Sequence, residues 1–396
     1  MKQTSIFEDA RMKLPESLDL TVQSLLAYAP RYKHWAIAFS GGKDSTALAT
    51  LIPTLIEQGK IPAPESLSVL YADTRQELPP LWISAMGILE ELAARGIRTR
   101  IVLPDLDKRY FVYMLGRGVP PPNNNTLRWC TRQIKVDPMI NALRALRETA
   151  GEKLLMLTGV RLGESAARDQ RIATSCSRDG GECGQGWFQE ATPDSIADTL
   201  APLLHWRVCH IWSWLTAHAP AEGFSTRIVG TVYGGDEAEE INARTGCIGC
   251  PLATKDTALD AILKLDEWSY LLPLKRLRPL YRALREPHYR LRQPGTETRK
   301  DGSLASNPQR LGPLTMEARR YALSVVLGVQ GEINISALRS ARPEVSLINE
   351  EEATRIKELI AANTWPQKWS GEEPVGDVLL DKVYADGSLQ PLLGEF

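Results

Sequence analysis

Apolar positions along the first 160 residues alternate between two textures. Short runs bounded by turn residues read as buried strands: Ala36 to Phe39, Leu67 to Tyr71, Ile97 to Leu103 and Lys153 to Val160. Between them lie stretches with apolar residues at three-to-four spacing, which read as helices. These are Leu18 to Tyr28, Thr46 to Ile56, about Pro79 to Arg95, and Val136 to about Arg147. Ser17 and Asp19 are candidate caps for the first, and Pro79 sits in the first turn that proline tolerates. Strands alternating with helices predict an α/β fold, an open parallel sheet with right-handed crossovers. Such sheets bind ligands at the carboxyl ends of their strands.

The later chain is less regular. Pro120 to Asn125 cannot continue a regular element and reads as a surface loop that delivers Arg128-Trp129-Cys130. Residues 172–200 read as irregular. Helical character returns from His205 to Ala217, where Cys209 reads as core and His205 and His210, set among tryptophans, read as satisfied histidines. Beyond Leu252 the texture changes, and residues 275–320 hold twelve Lys or Arg against four acidic residues, with Tyr281 and Tyr289 interleaved. One clear helix lies around Glu350 to Ala362. The expected division is an α/β domain over 1–255 and a mainly helical C-terminal region over 256–396.

A chain of 396 residues with 43% hydrophobic residues, 24% charged residues and a net charge of −1 has no global bias toward polyanions. Any nucleic-acid surface is therefore local, and 275–320 is the candidate, since clustered Lys and Arg attract phosphates and tyrosines stack on bases. No apolar run approaches the ~20 residues that cross a bilayer, and residues 1–5 lack the apolar core of a signal peptide, so a cytoplasmic protein is expected. Six cysteines in this length do not form a disulfide scaffold; reduced thiols point to metal ligands or catalysis.

Ser40-Gly41-Gly42-Lys43-Asp44-Ser45 joins the first strand to its helix. Paired glycines and a helix start expose backbone N–H groups to an anion, Ser40 and Ser45 add hydroxyls, and Lys43 adds charge. Asp44 could hold Mg2+ against phosphates. The spacing is not that of a Walker A loop, because Asp44 follows Lys43 and the upstream glycine is missing. After the fourth strand, Arg161 and Arg168 could grip a phosphate while Glu164 holds one of them. Asp73 is a candidate for ribose or Mg2+, or a turn-stabilising residue. Cys247-Ile-Gly-Cys250 places two thiols on one turn. Cys130 would supply a third ligand and Cys183, or else Cys176, a fourth, in a set that admits zinc or an iron–sulfur cluster.

The Ser40–Ser45 segment matches the SGGxDS PP-loop and resembles the ATP pyrophosphatase superfamily. Five further segments resemble its phosphoadenylyl-sulfate (PAPS) reductase branch: Tyr71-Ala-Asp73-Thr74, Trp129-Cys130 through Lys135, Gly159-Val-Arg161-Leu-Gly-Glu164-Ser165, Pro202 through Trp206 with Ile211-Trp212, and Gly246-Cys247 through Leu252. The resemblance covers about residues 30–255. No cysteine follows Cys250, so the C-terminal nucleophile of the assimilatory reductases is missing, and cluster-binding reductases carry adjacent cysteines where this chain has Trp129-Cys130. The pattern looks more like the sulfurtransferases of DNA phosphorothioation, of the DndC and SspD type. That resemblance implies ATP, Mg2+ and a 4Fe-4S cluster on Cys130, Cys183, Cys247 and Cys250. It implies an ATP pyrophosphatase activity that adenylates a DNA phosphate, with a cysteine desulfurase and other phosphorothioation proteins as partners. A divergent PAPS or APS reductase, a tRNA-thiolating PP-loop enzyme and a nucleotide-sensing subunit are the alternatives.

Overall fold

The computed structural model describes residues 12–123, 127–163, 170, 187–189, 195–233, 247–253 and 255–391. Two compact units emerge, and neither is one continuous stretch. The first comprises 1–73, 78–102 and 137–245; the second comprises 74–77, 103–136 and 246–396.

The first unit is the α/β one. Helix α1 (Leu14–Tyr28) leads into strand β1 (His34–Phe39), then α2 (Lys43–Glu57), β2 (Ser66–Ala72), α3 (Pro79–Ala94), β3 (Arg98–Val102), α4 (Asp137–Ala150) and β4 (Leu154–Leu157). Strands β5 (Trp187–Gln189) and β6 (Ala197–Ala201) follow, and the short helices α5 (Val208–Ser213) and α6 (Arg227–Val232) complete the elements used below. The sheet order is β3-β2-β1-β4-β6-β5. Five strands are parallel, and only the edge strand β5 runs antiparallel, on β6. From β1 the chain winds outward through β2 and β3, then returns to place β4 on the other side. That reversal opens a crevice at the carboxyl ends of β1 and β4.

β1 and α2 have almost no solvent-facing side. Ala36, Ile37, Phe39, Leu48, Leu51 and Ile52 are all essentially buried, as expected for a central parallel strand and its crossover helix. Strand β6 corrects the expectation that 172–200 is irregular throughout. Its pattern is disguised by Asp198, which is buried and held by Lys153 Nζ at 2.7 Å and by the Tyr32 hydroxyl at 2.5 Å. A buried acid carried by an ion pair and a hydrogen bond satisfies burial without an apolar residue.

The second unit contains α7 (Leu277–Ala283), the two-stranded β7 (Arg290–Arg292) and β8 (Leu311–Leu314), α8 (Met316–Arg339) and α9 (Glu350–Ala361). Helix α9 begins with Asn349, whose side chain accepts from Glu352 N–H while Glu352 reaches back to Asn349 N–H, a reciprocal cap. Among the described residues α8 alone is long and apolar enough by composition to cross a membrane, which the sequence reading did not single out. Its buried positions 318, 319, 322, 323, 326, 329, 333 and 337 form one stripe at helical spacing, the mark of a helix packed along one face.

The basic stretch 275–320 is not one continuous charged face. Arg319 is fully buried on the carbonyls of Leu115, Gly116 and Thr364. Arg276 pairs with Glu332 at 2.7 Å, Arg310 grips Glu297 with two bonds, and Lys275 pairs with Asp260. Arg278, Arg285, Arg290 and Arg292 donate to backbone carbonyls. Tyr281 is fully buried and cannot stack on a base; Tyr289 stacks on Tyr321. These cations are held by carboxylates or backbone carbonyls, and a guanidinium can satisfy several carbonyls at once.

Candidate functional site

The crevice of the first unit is built on the β1–α2 turn. Gly41 takes φ +69, and a Cβ there would stand 3.2 Å from Ala85 Cβ, so glycine alone fits without strain. Ser45 Oγ donates to Gly42 C=O at 3.0 Å and accepts from Ser40 N–H at 3.2 Å, closing the loop on itself. The Ser40 and Ser45 hydroxyls meet at 3.1 Å. The serines thus shape the loop as well as offering hydroxyls, and α2 opens directly behind it with Gly42 as its N-cap.

Three charged side chains converge there, and all are nearly excluded from water: Lys43, Asp44 and Arg161, at 7%, 9% and 2% exposure. Arg161 Nε lies 2.5 Å from Asp44 Oδ1, and Lys43 Nζ lies 3.1 Å from Oδ2. A second Arg161 nitrogen donates to Trp206 C=O at 3.2 Å. Two cations on one carboxylate leave the cluster net positive, which suits a polyanion. Both Asp44 oxygens are engaged by these cations, so a Mg2+ ion there would share the carboxylate with them. Asp73, at the end of β2, is buried and accepts from the Trp82 indole at 3.3 Å. Thr46 and Thr158 carry buried hydroxyls without a hydrogen-bond partner among the described residues. Orphaned donors at a strand's end and a helix's first turn are what a bound phosphate chain would satisfy.

Two contributors escaped the sequence reading. Tyr233, just past α6, accepts from Lys43 N–H at 3.4 Å, and its ring lies 5.3 Å from Lys43 Nζ. Nothing local marks it. Gly159 was quoted only as part of a motif, yet a Cβ there would stand 2.7 Å from Asp44 C=O. The four expected residues Glu164, Arg168, Cys176 and Cys183 lie outside the described residues.

The second unit gathers the remaining thiols. Cys130 and Cys250 are half-buried and Cys247 is exposed; Cys209, in the first unit, is half-buried where core was expected. The Cys247–Cys250 turn is tied down by Cys250 N–H on Cys247 C=O at 3.0 Å and Ile248 N–H on Gln76 C=O at 2.8 Å. Although Cys247 as a residue presents surface, loss of water around its sulfur pushes the thiol up to about 12. The Glu77 carboxylate adds to that, as do Cys250 and Cys130, while Lys135 opposes it. Burial likewise raises Cys130, against a hydrogen bond with Thr131. The three thiols therefore share one electrostatic neighbourhood, and burial keeps Cys130 and Cys247 protonated until a cation displaces the protons.

Among the described residues no three or more His, Cys, Asp or Glu side chains stand ready-made around one metal position. The donor chemistry fits a sulfur-ligated metal all the same: three thiols from two segments, and beside them the buried hydroxyls of Tyr110 and Tyr281, which lack a partner among the described residues.

Residues 34–220 match the model of the phosphoadenosine phosphosulfate reductase domain family, whose members are enzymes. The match takes in the Gly-rich turn, Asp73, Cys130 and Arg161, ends before Cys247, and supports placement in the PP-loop superfamily. No curated protein matches the sequence. Among solved structures, phosphoadenylyl-sulfate reductase from Candida auris, a phosphate complex, is 13% identical, with 52% of this chain and 88% of that chain covered and a TM-score of 0.33. The U34-tRNA thiolase NcsA from Methanococcus maripaludis, with its 4Fe-4S cluster, is 14% identical, with coverage of 68% and 76% and a TM-score of 0.36. NMN synthetase from Francisella tularensis is 13% identical, with coverage of 64% and 92% and a TM-score of 0.33. Overlaps this loose identify neither substrate nor reaction.

Proposed function

We propose that this chain is an ATP-dependent sulfurtransferase that adenylates a DNA backbone phosphate and replaces one of its non-bridging oxygens with sulfur. The observation that carries the reading is the buried Lys43–Asp44–Arg161 cluster at the Gly-rich turn, a net-positive cradle at the switch point of a parallel sheet. The PAPS reductase-type match over 34–220 and the thiol set Cys130, Cys247 and Cys250 support it further.

In this reading Gly41, Gly42 and the start of α2 present N–H groups to the β- and γ-phosphates, with Ser40, Ser45 and Lys43 beside them. Asp44 holds the Arg161 guanidinium in place, so that its charge is fixed before charge develops on the leaving pyrophosphate. A DNA phosphate oxygen forms a bond to the α-phosphorus, and the bond from that phosphorus to the pyrophosphate oxygen breaks. Sulfur at the sulfide level, released from a desulfurase persulfide by a thiol reductant, then forms the P–S bond as AMP leaves with the oxygen. Asp73 holds the nucleotide ribose, Arg168 joins Arg161 on the anion, and Glu164 holds one of these arginines in place. Cys130, Cys247, Cys250 and Cys183 would hold a 4Fe-4S group, which supplies Lewis-acidic iron and electron-transfer capacity.

The test is product analysis of ATP incubated with duplex DNA and sulfide. AMP and pyrophosphate in DNA-dependent amounts, lost in Lys43→Ala, are expected. ADP and phosphate, or sulfonucleotide reduction without ATP cleavage, would overturn the proposal; ATP binding with negligible turnover would favour a sensor.

A further inference from the structure

The thiol set leaves two neighbouring side chains unexplained. Tyr110 and Tyr281 are 4% and 0% exposed, and neither hydroxyl has a hydrogen-bond partner among the described residues. A buried donor left unpaired costs the whole of its lost hydration, and folded proteins carry few such groups. Two in contact, their rings 5.8 Å apart at 63°, are harder to ascribe to chance.

Their position is specific. Tyr281 sits on α7, and a Cβ on Gly249, inside the Cys247–Cys250 turn, would lie 3.2 Å from its Cε2. Tyr110 packs at 5.3 Å on Trp129, the residue before Cys130. The tyrosine pair thus joins the two segments that bring the thiols. Burial raises both phenols, strongly for Tyr110, and nearby thiols add to it in each case. Both remain O–H donors at neutral pH and neither is an available nucleophile.

We propose that Tyr110 and Tyr281 are positioning residues that donate hydrogen bonds to the sulfur atoms of the iron–sulfur group held by Cys130, Cys247 and Cys250. The proposal rests on the cluster reading above. Hydrogen bonds to cluster sulfurs withdraw negative charge and favour the reduced state, so each raises the reduction potential. They also order the two cysteine segments around one group.

The experiment reconstitutes the full chain anaerobically with ferrous iron and sulfide, as wild type, Tyr110→Phe, Tyr281→Phe and the double variant. Iron content and visible absorption are read first, then the midpoint potential by dye-mediated titration. All four proteins are expected to bind equal iron, with a lower potential in each single variant and the lowest in the double variant. Without iron, the Phe variants should melt no lower than wild type, because each loses only an unpartnered hydroxyl. Equal potentials would mean that the hydroxyls hold ordered water only, and would overturn this inference while the cluster reading stands. Iron-free variants that melt below wild type would show a purely structural role and also overturn it. No iron bound by the wild type would overturn both.

Discussion

Replacing Gly159 by Ala tests how the sheet shapes the anion cradle. Gly159 follows β4, and its Cβ would stand 2.7 Å from Asp44 O, 2.8 Å from Asp44 C and 3.0 Å from Ser45 N. All three are backbone atoms of the first turn of α2, so no side-chain rotation relieves the overlap. Either β4 or the helix start must move. Overpacking of this kind costs about 1–3 kcal/mol, and each kcal/mol lowers Tm by about 2–4 °C in a unit of about 150–250 residues. If the same energy is lost from nucleotide binding, at 1.4 kcal/mol per tenfold, affinity falls about 5- to 150-fold. Gly87→Ala is the control: Gly87 lies inside α3 with nothing within 4 Å of its would-be Cβ, so alanine there should stabilise by about 0.5–1 kcal/mol. Thermal unfolding and calorimetric titration with a non-hydrolysable ATP analogue read both effects. Wild-type Tm and affinity in Gly159→Ala would refute the argument.

Two further outcomes follow from the same unit. Asp44→Asn should destabilise by about 3–5 kcal/mol, because it strands two buried cations, whereas Arg161→Met should cost less, because Lys43 still pairs with Asp44, yet should weaken nucleotide binding; denaturant melts and binding titrations distinguish these results. His210 is buried, and Nδ1 accepts from Arg207 N–H at 3.2 Å and meets the Ser17 hydroxyl at 3.1 Å. Burial, then the Arg207 charge, lowers its pKa below the usual ~6.5 of imidazole. The folded state therefore favours the neutral ring, so its stabilising contribution is complete above about pH 6.5 and is lost as pH falls through the lowered value. Between pH 7 and 5 the wild type should lose more Tm than His210→Asn; parallel pH profiles would contradict this.

What the sequence showed of the fold tracks where burial is apolar and local. β1, β2 and β4 and the helices packed on them were legible because most of their buried positions are hydrophobic, whereas β3 was read from apolar residues of which only Val102 is buried. β6 was hidden by Asp198, whose burial depends on Lys153 and Tyr32 far away in sequence. α8 overlaps the run read as basic only at 316–320, and Arg319 in that overlap shows why charge counting misleads: its guanidinium ends a π-helical turn at Val112–Gly116 and is fully buried. The assignment of 74–77 and 103–136 to the second unit has no local signal, since it depends on how distant segments pack. At the site, Ser40 through Ser45 and Arg161 were legible from residue type and spacing. The ion pair between Asp44 and Arg161 was not, and it gives Asp44 a cation to hold beside the metal-ligand role expected of it. Tyr233, Tyr110 and Tyr281 make long-range contacts that only the folded chain reveals.

The central claim is sulfur transfer to DNA, and the most direct measurement is mass spectrometry of nuclease-digested DNA from cells carrying the wild-type protein or Cys247→Ser. The account predicts sulfur-containing dinucleotides with the wild type and none with Cys247→Ser. Their absence from both DNA samples would contradict it, and thiolated nucleosides in the RNA of the wild-type cells alone would move the substrate to transfer RNA.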